Sequence, residues 1–466
     1  MQAVINKQEN PLGTEKVGRL LAKYAVPSII SMLVSALYNI VDQFFIGQSV
    51  GMLGNAATNV AFPLSTLCTA LALLFGVGGA ANFNLSMGAG DRENGAKYVG
   101  NAVTLLALFG IFLCIAVKAF LHPLMALFGA EAEVMDYAVI YTGITSVGFP
   151  FLIFSTGGSA LVRADGSPRY SMFCMLTGAI VNTVLDAVLI FHFQLGMAGA
   201  AWATVAGQIV SALMVLGYLL RFKTVRLTPR NFFPTLRHSL KIAALGASNS
   251  FNQVAMMLVQ IVMNNTMTHY GELSIYGRDI PLACSGIIAK VGMIFFSLVI
   301  GISQGLQPII GFNYGARKYQ RVRETYWLAI RAGAIISVFA FLCFQLLPRQ
   351  IIGLFGEGSP EYFQFAERYF RIFLFFTIIN FIQPIAANFF TSIGKATRGI
   401  ILSLTRQILF LLPLLLILPL FFGIDGVMYA GPISDFTAAI LAVAFSLAEL
   451  RRMKSLEQDE ALKQDA

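Results

Sequence analysis

Twelve continuous apolar segments, separated by short polar stretches, divide this chain from end to end. They lie at roughly 20–46, 55–85, 98–121, 135–156, 168–192, 197–220, 242–268, 280–312, 325–347, 362–389, 399–421 and 425–449. A membrane-spanning helix uses about 20 apolar residues, so each segment is long enough to cross a bilayer. A β-barrel would show short alternating strands instead of these unbroken runs. Composition agrees: 57% of the 466 residues are apolar and 12% are charged, the latter about half the usual soluble share of roughly 25%. These proportions exclude a soluble enzyme, a disordered chain, a disulfide scaffold and an ordinary nucleic-acid binder. The expected fold class is an all-α polytopic membrane protein with 12 transmembrane helices.

Charge orients the segments. An even number of spans puts both termini on one side. The terminus side carries 24 Lys and Arg, whereas the opposite loops carry only Lys118, Arg278 and Arg349. Under the positive-inside rule both termini are expected in the cytoplasm of a multi-pass plasma-membrane protein. The net charge of +9 therefore reads as topology and not as a nucleic-acid surface. Acidic residues on the outer side (Glu131, Glu133, Asp136, Glu357 and Glu361) carry little weight in that rule. Cys68, Cys114, Cys174, Cys284 and Cys343 are odd in number and sit inside apolar runs, so they read as small buried hydrophobes. The first twenty residues lack the apolar core of a cleavable signal.

The chain repeats itself at a shift near 225 residues. MALFGAEAEV near 125–134 matches IGLFGEGSPE near 352–361. LGMAGAAWATVAGQ (195–208) matches FGIDGVMYAGPISD (422–435), and FGVGGAANFNLSMGAGDR (75–92) matches IGISQGLQPIIGFNYGAR (300–317). Six-plus-six repeats are a transporter signature, and an even number of spans per repeat makes the halves parallel. The expected organisation is two pseudo-symmetric six-helix lobes. Residues 1–220 form the first and 242–450 the second. A basic cytoplasmic linker (221–241) joins them, and a cytoplasmic tail covers 451–466.

A buried intramembrane charge is costly and so marks function by default. Segment 1 carries Asp42; segment 5 carries Asn182 and Asp186, four residues apart and therefore on one helix face; segment 6 carries Thr204. Together they would form an all-oxygen set. It could hold a hard cation such as Na⁺, in which case these four are the metal ligands, or the carboxylates could share a proton. The alternative is that Asp42 and Asp186 only staple helices. Tyr38 lies one turn before Asp42, with Asn39 next to it. Gln253 and Gln260 in segment 7, Lys290 in segment 8 and Asp435 in segment 12 are further candidates for a substrate cavity. An ion pair of Asp435 with Arg406 or Lys290 is the plainer reading of those charges. Pro27 removes one backbone hydrogen bond in segment 1 and is a hinge candidate. No HExxH or complete phosphate-binding loop is present, and a nucleotide domain is not expected. The energy source should then be an ion gradient.

These residues, with the loop RADGSPRYSM (163–172) after segment 4 and GAAWATVAGQ in segment 6, resemble the multidrug and toxic compound extrusion (MATE) family. The resemblance covers about residues 15–450 and looks strongest to the bacterial MepA-like branch. It implies a secondary antiporter, not an enzyme. Such a protein would export lipophilic organic cations and amphipathic drugs in exchange for H⁺ or Na⁺, with no other cofactor. Its partners would be those small molecules and membrane lipid, and a monomer is expected. The family's first-lobe cation site corresponds to Asp42, Asn182, Asp186 and Thr204, and its cavity and segment 1 bend to Tyr38 and Pro27. One departure stands out: some members carry an acidic residue in segment 7 that forms a second-lobe site, and segment 7 here has none, with Gln253 and Gln260 the nearest polar substitutes. A lipid-linked oligosaccharide flippase of the same superfamily is the rival reading. It needs a cationic cavity, whereas the first-half candidates are acidic.

Overall fold

The computed structural model describes residues 10–355 and 359–464, so Glu357 lies outside the described residues. A hydrocarbon interior offers backbone groups no water to bond, and the segments answer by closing their hydrogen bonds internally as helices. We number the spans α1 to α12. The first six are Val17–Ser49, Met52–Gly88, Arg92–Ala119, Ala132–Ala164, Pro168–His192 and Gly196–Leu219. The next three are Leu236–Glu272, Asp279–Gly315 and Tyr319–Leu346. α10 is a bent pair, Pro360–Phe373 and Thr377–Ser392; α11 is Ala396–Phe422 and α12 is Ile424–Gln464. Among the described residues there is no strand. Among the described residues, eleven of these helices are long and apolar enough to cross a membrane by themselves and α10 is so as one bent pair, and each of the twelve apolar segments falls on one of them.

The helices outrun the apolar segments because polar turns continue the hydrogen-bond ladder beyond the lipid. α7 begins at Leu236, not 242, so Arg237 and Lys241, read as linker, form its first turns. α10 is the second difference. At Phe373 the ladder gives way to tighter i→i+3 bonds (Phe375 to Ile372, Thr377 to Leu374, Ile379 to Phe376), and the axis bends by 42°. Such a change of winding is an identifiable cause of a kink without proline. α5 and α11 each contain a π-helical stretch, Ala187–His192 and Thr405–Leu411.

The apolar interior is two cores, not one. One is built from α2 to α6, with Phe83, Leu106, Met125, Ile153 and Leu161 fully buried. The other is built from α7 to α12, with Phe365, Tyr369, Phe370, Phe389 and Phe390. The start of α1 crosses over: Leu20, Leu21, Tyr24 and Ala25 are buried with the second core.

The halves meet along a seam at the terminus-side ends of α1, α2, α7 and α8. Ala25 and Ile29 of α1 lie against Gly305 and Gly301 of α8. Asn82 of α2 donates to the Lys241 carbonyl at 3.1 Å, and Asn313 of α8 to the Leu12 carbonyl at 2.8 Å. At the α2–α7 crossing a Cβ on Gly246 would sit 1.8 Å from the Leu74 carbonyl oxygen, and one on Gly78 would sit 2.0 Å from that of Ile242. Only glycine allows backbones this close, and small residues at such crossings are how membrane helices gain packing energy. Further along, α1 returns to its own half, where Phe45 meets Phe191 of α5 edge-on at 5.6 Å.

The linker is laid across the first half. Buried Asp165, in the α4–α5 turn, accepts from the backbone N–H of Lys223 (2.7 Å) and Thr224 (2.9 Å) and from the Tyr218 hydroxyl (2.9 Å). Burial pushes its carboxyl above the usual range, opposed by these donors. Thr104 donates to the Phe232 carbonyl at 2.7 Å and Asn101 to that of Asn231 at 3.1 Å.

Candidate functional site

Three spans of the first half converge where the sequence placed its acidic candidates. Asp42 comes from α1, seven residues before Ser49; Asn182 and Asp186 from α5; and Thr204 from α6, eight residues after Gly196. At 1.5 Å per residue Thr204 is about 12 Å from the start of its helix. The site therefore sits in the half of the bundle away from the seam. Its residues face one another because α5 and α6 pack so closely that the Gly178 and Gly207 backbones touch: a Cβ on Gly207 would lie 2.6 Å from the Gly178 carbonyl oxygen. Asp186 is the last α-helical residue before the π-helical turn. Single π turns recur at functional positions because they re-aim side chains.

The Asn182 amide donates to the Thr204 hydroxyl at 3.3 Å. Asn182 is 3% exposed and Asp186 0%. Asp42 and Asp186 lie side by side, and Tyr38 flanks both. Asp42 Oδ1, Asn182 Oδ1 and both Asp186 carboxylate oxygens are buried without a hydrogen-bond partner. Buried polar atoms are normally satisfied, and buried carboxylates still more so. Among the described residues no Lys, Arg or His pairs with either carboxylate. The arrangement is thus two neighbouring buried carboxylates with no basic partner among the described residues, beside the linked Asn182 amide and Thr204 hydroxyl. Chemically that suits a proton shared between carboxylates, or a hard cation that takes oxygen ligands.

Tyr141 of α4 belongs to this group and was not among the sequence candidates. It lies against Thr204 and within electrostatic reach of Asp42, Asp186 and Tyr38. Its surroundings, DYAVIYTGI, carry no periodic signal that separates it from a core tyrosine; only the packing of α4 on α6 brings it in.

The other candidates fall elsewhere. The Asn39 amide is turned back onto its own helix, donating to the Ser35 carbonyl at 2.7 Å. Gln260 donates along α7 to Asn264 at 2.8 Å, and Gln253 is half-buried on the same helix. Lys290 is exposed on α8. Asp435 is 3% exposed, and Arg406 Nε donates to its Oδ1 at 2.5 Å. Of the two pairings open to it, the structure makes the one with Arg406, because α11 and α12 are adjacent. Pro27 is buried where α1 meets α8, and the helix runs unbroken through it. The Ser31 hydroxyl donates to the Pro27 carbonyl at 2.9 Å.

Comparison with known proteins gives a consistent result. The family model described as MatE matches residues 27–188 and again 250–417. Two matches to one model, shifted by 223 residues at their starts and 229 at their ends, restate the internal repeat. The chain is similar to the "Multidrug export protein MepA" of Staphylococcus haemolyticus (strain JCSC1435), at 24% identity over 94% of this chain and 95% of that protein. It is also similar to the protein of that name from Staphylococcus aureus (strain MSSA476), at 24% identity over 92% and 93%. Among solved structures it resembles the "Outward-facing conformation of a multidrug resistance MATE family transporter of the MOP superfamily", with TM-score 0.86, 23% identity and coverage of 95% and 99%. A MOP superfamily transporter from Pyrococcus furiosus gives TM-score 0.88 at 22% identity, covering 95% and 98%.

Proposed function

The chain belongs to the MatE family, and on that premise we propose that it is a multidrug efflux antiporter, exporting lipophilic organic cations and amphipathic drugs in exchange for H⁺ or Na⁺. The observation that carries the reading is the first-half oxygen set, in which the buried oxygens of Asp42, Asn182 and Asp186 have no partner. An acidic, uncompensated site attracts cations and repels anions, which favours this reading over carriage of an anionic lipid-linked sugar.

The mechanism follows from competition for one negative site. With the termini in the cytoplasm, the closed seam is the cytoplasmic side and the oxygen set lies toward the exterior. A proton or Na⁺ arriving from outside neutralises Asp42 and Asp186, with Asn182, Thr204 and Tyr141 completing the polar shell. Neutralisation lowers the cost of repacking the first half and removes the charge that attracts a cationic drug. The drug leaves outward. The halves then rock about the seam, Pro27 sits where α1 must adjust, and the ion is released inward. The two ligands need never touch.

The test is uptake of a fluorescent lipophilic cation into proteoliposomes under an imposed pH gradient and, separately, a Na⁺ gradient, with Asp186→Asn as control. Transport under one gradient names the ion. Equal transport by Asp186→Asn would sink the first-half site.

A further inference from the structure

The second half buries its own ionisable pair, and there the cation is attached to the chain. Arg406 lies in the π-helical stretch of α11, ten residues after Ala396, and Asp435 lies eleven residues after Ile424 in α12. Both are therefore near mid-span. Arg406 is 9% exposed and Asp435 3%, their charged groups meet at 2.5 Å, and Phe296 of α8 lies beneath the guanidinium at 5.6 Å. The first half places a π-helical turn on the same helix of its repeat, directly after Asp186. Setting 195–208 against 422–435 puts Asp435 opposite Gln208, one helical turn from Thr204. The fifth and sixth helices of each half are thus joined by a buried polar link at neighbouring depths. One link is Asn182–Thr204, beside two unpaired carboxylates; the other is Arg406–Asp435.

Stability alone does not explain the second link, since a well-packed apolar pair is often as stable as a buried ion pair. Removing the guanidinium would leave a buried carboxylate in the condition of Asp42 and Asp186, which calls for a mobile cation. Arginine carries a permanent charge, so it answers that carboxylate without a proton or metal ion from solution. We propose that Arg406 is a tethered cation occupying the cation position of the second half, so that the antiporter exchanges its coupling ion through the first half alone. Arg406 is on this account a specificity-determining residue for ion stoichiometry. The inference rests on the first-half coupling reading.

The experiment uses the full chain in proteoliposomes with tetraphenylphosphonium as the transported probe. The ratio of H⁺ or Na⁺ to probe is read from the gradient that nulls net flux. Arg406→Met is expected to raise that ratio by one ion, because Asp435 must then find a mobile partner. Arg406→Met combined with Asp435→Leu is expected to return it to the wild-type value, at a rate within about threefold. An unchanged ratio in Arg406→Met overturns the proposal. So does a double variant that melts like wild type yet loses more than about tenfold of its transport, because the pair would then be handling substrate. If Arg406→Met does not accumulate, the double variant decides by its own two outcomes. Asp186→Asn separates the two readings: coupled exchange that survives it removes first-half coupling, while the Arg406 ratios are measured without reference to it.

Discussion

Asn182 on α5 gives its amide to the Thr204 hydroxyl on α6 at 3.3 Å, and that bond leaves the Asn182 carbonyl oxygen without a donor beside two carboxylates in the same state. A neutral hydrogen bond between neighbouring helices thereby orients the Asn182 carbonyl oxygen. The charge in the site comes from Asp42 and Asp186, and its geometry from the α5–α6 contact.

On the proposed mechanism, neutralising either carboxylate removes the charge for which the coupling ion and a cationic drug compete. Asp42→Asn and Asp186→Asn should each lower gradient-driven efflux of a lipophilic cation by more than about 100-fold with normal membrane levels. The measurement is initial efflux rate in proteoliposomes.

Thr204→Val keeps the shape of the side chain and removes the acceptor. Losing one such bond costs about 1 kcal/mol, so apparent affinity for the coupling ion should fall by about fivefold, with maximal rate largely kept. Tyr141→Phe should act in the same direction. Ion titration of the transport rate checks both; unchanged affinity in the two variants would place these hydroxyls outside the site.

The seam depends on close backbone approach. In Gly246→Ala the new Cβ would meet the Leu74 carbonyl oxygen at 1.8 Å, which forces α2 and α7 apart at a cost of about 1–3 kcal/mol. The melting temperature should fall, and a cysteine at Ile29 should react faster with a bulky thiol reagent applied from the terminus side.

Asp165 holds the linker through the Lys223 and Thr224 N–H groups and is itself tied to α6 by the Tyr218 hydroxyl. Asp165→Ala leaves these donors without their carboxylate and should cost about 2–3 kcal/mol. Trypsin should then cut faster at Arg226 and Arg230, both exposed in the linker. Timed digestion of the intact protein in detergent reads this directly.

The amino-acid sequence is enough to read the membrane fold, because hydrocarbon admits only segments that satisfy their own backbone, and a run of about 20 apolar residues declares one. It also determined the repeat, and it named Asp42, Asn182, Asp186 and Thr204, since an acid inside such a run is conspicuous. Tyr141 was not legible: tyrosine is common at helix surfaces, and only the packing of α4 against α6 distinguishes it. The bend of α10 was hidden for a related reason, having no proline or glycine to announce it and resting on a change of backbone winding between Phe373 and Thr377. Spacing along the chain cannot choose between Arg406 and Lys290 as the partner of Asp435, because it does not say which of two helices lies alongside a third. That choice, and the crossing of α1 into the second core, were decided by tertiary packing. Which backbones can approach depends on where glycines such as Gly78 and Gly246 meet, and a linear pattern does not contain that meeting.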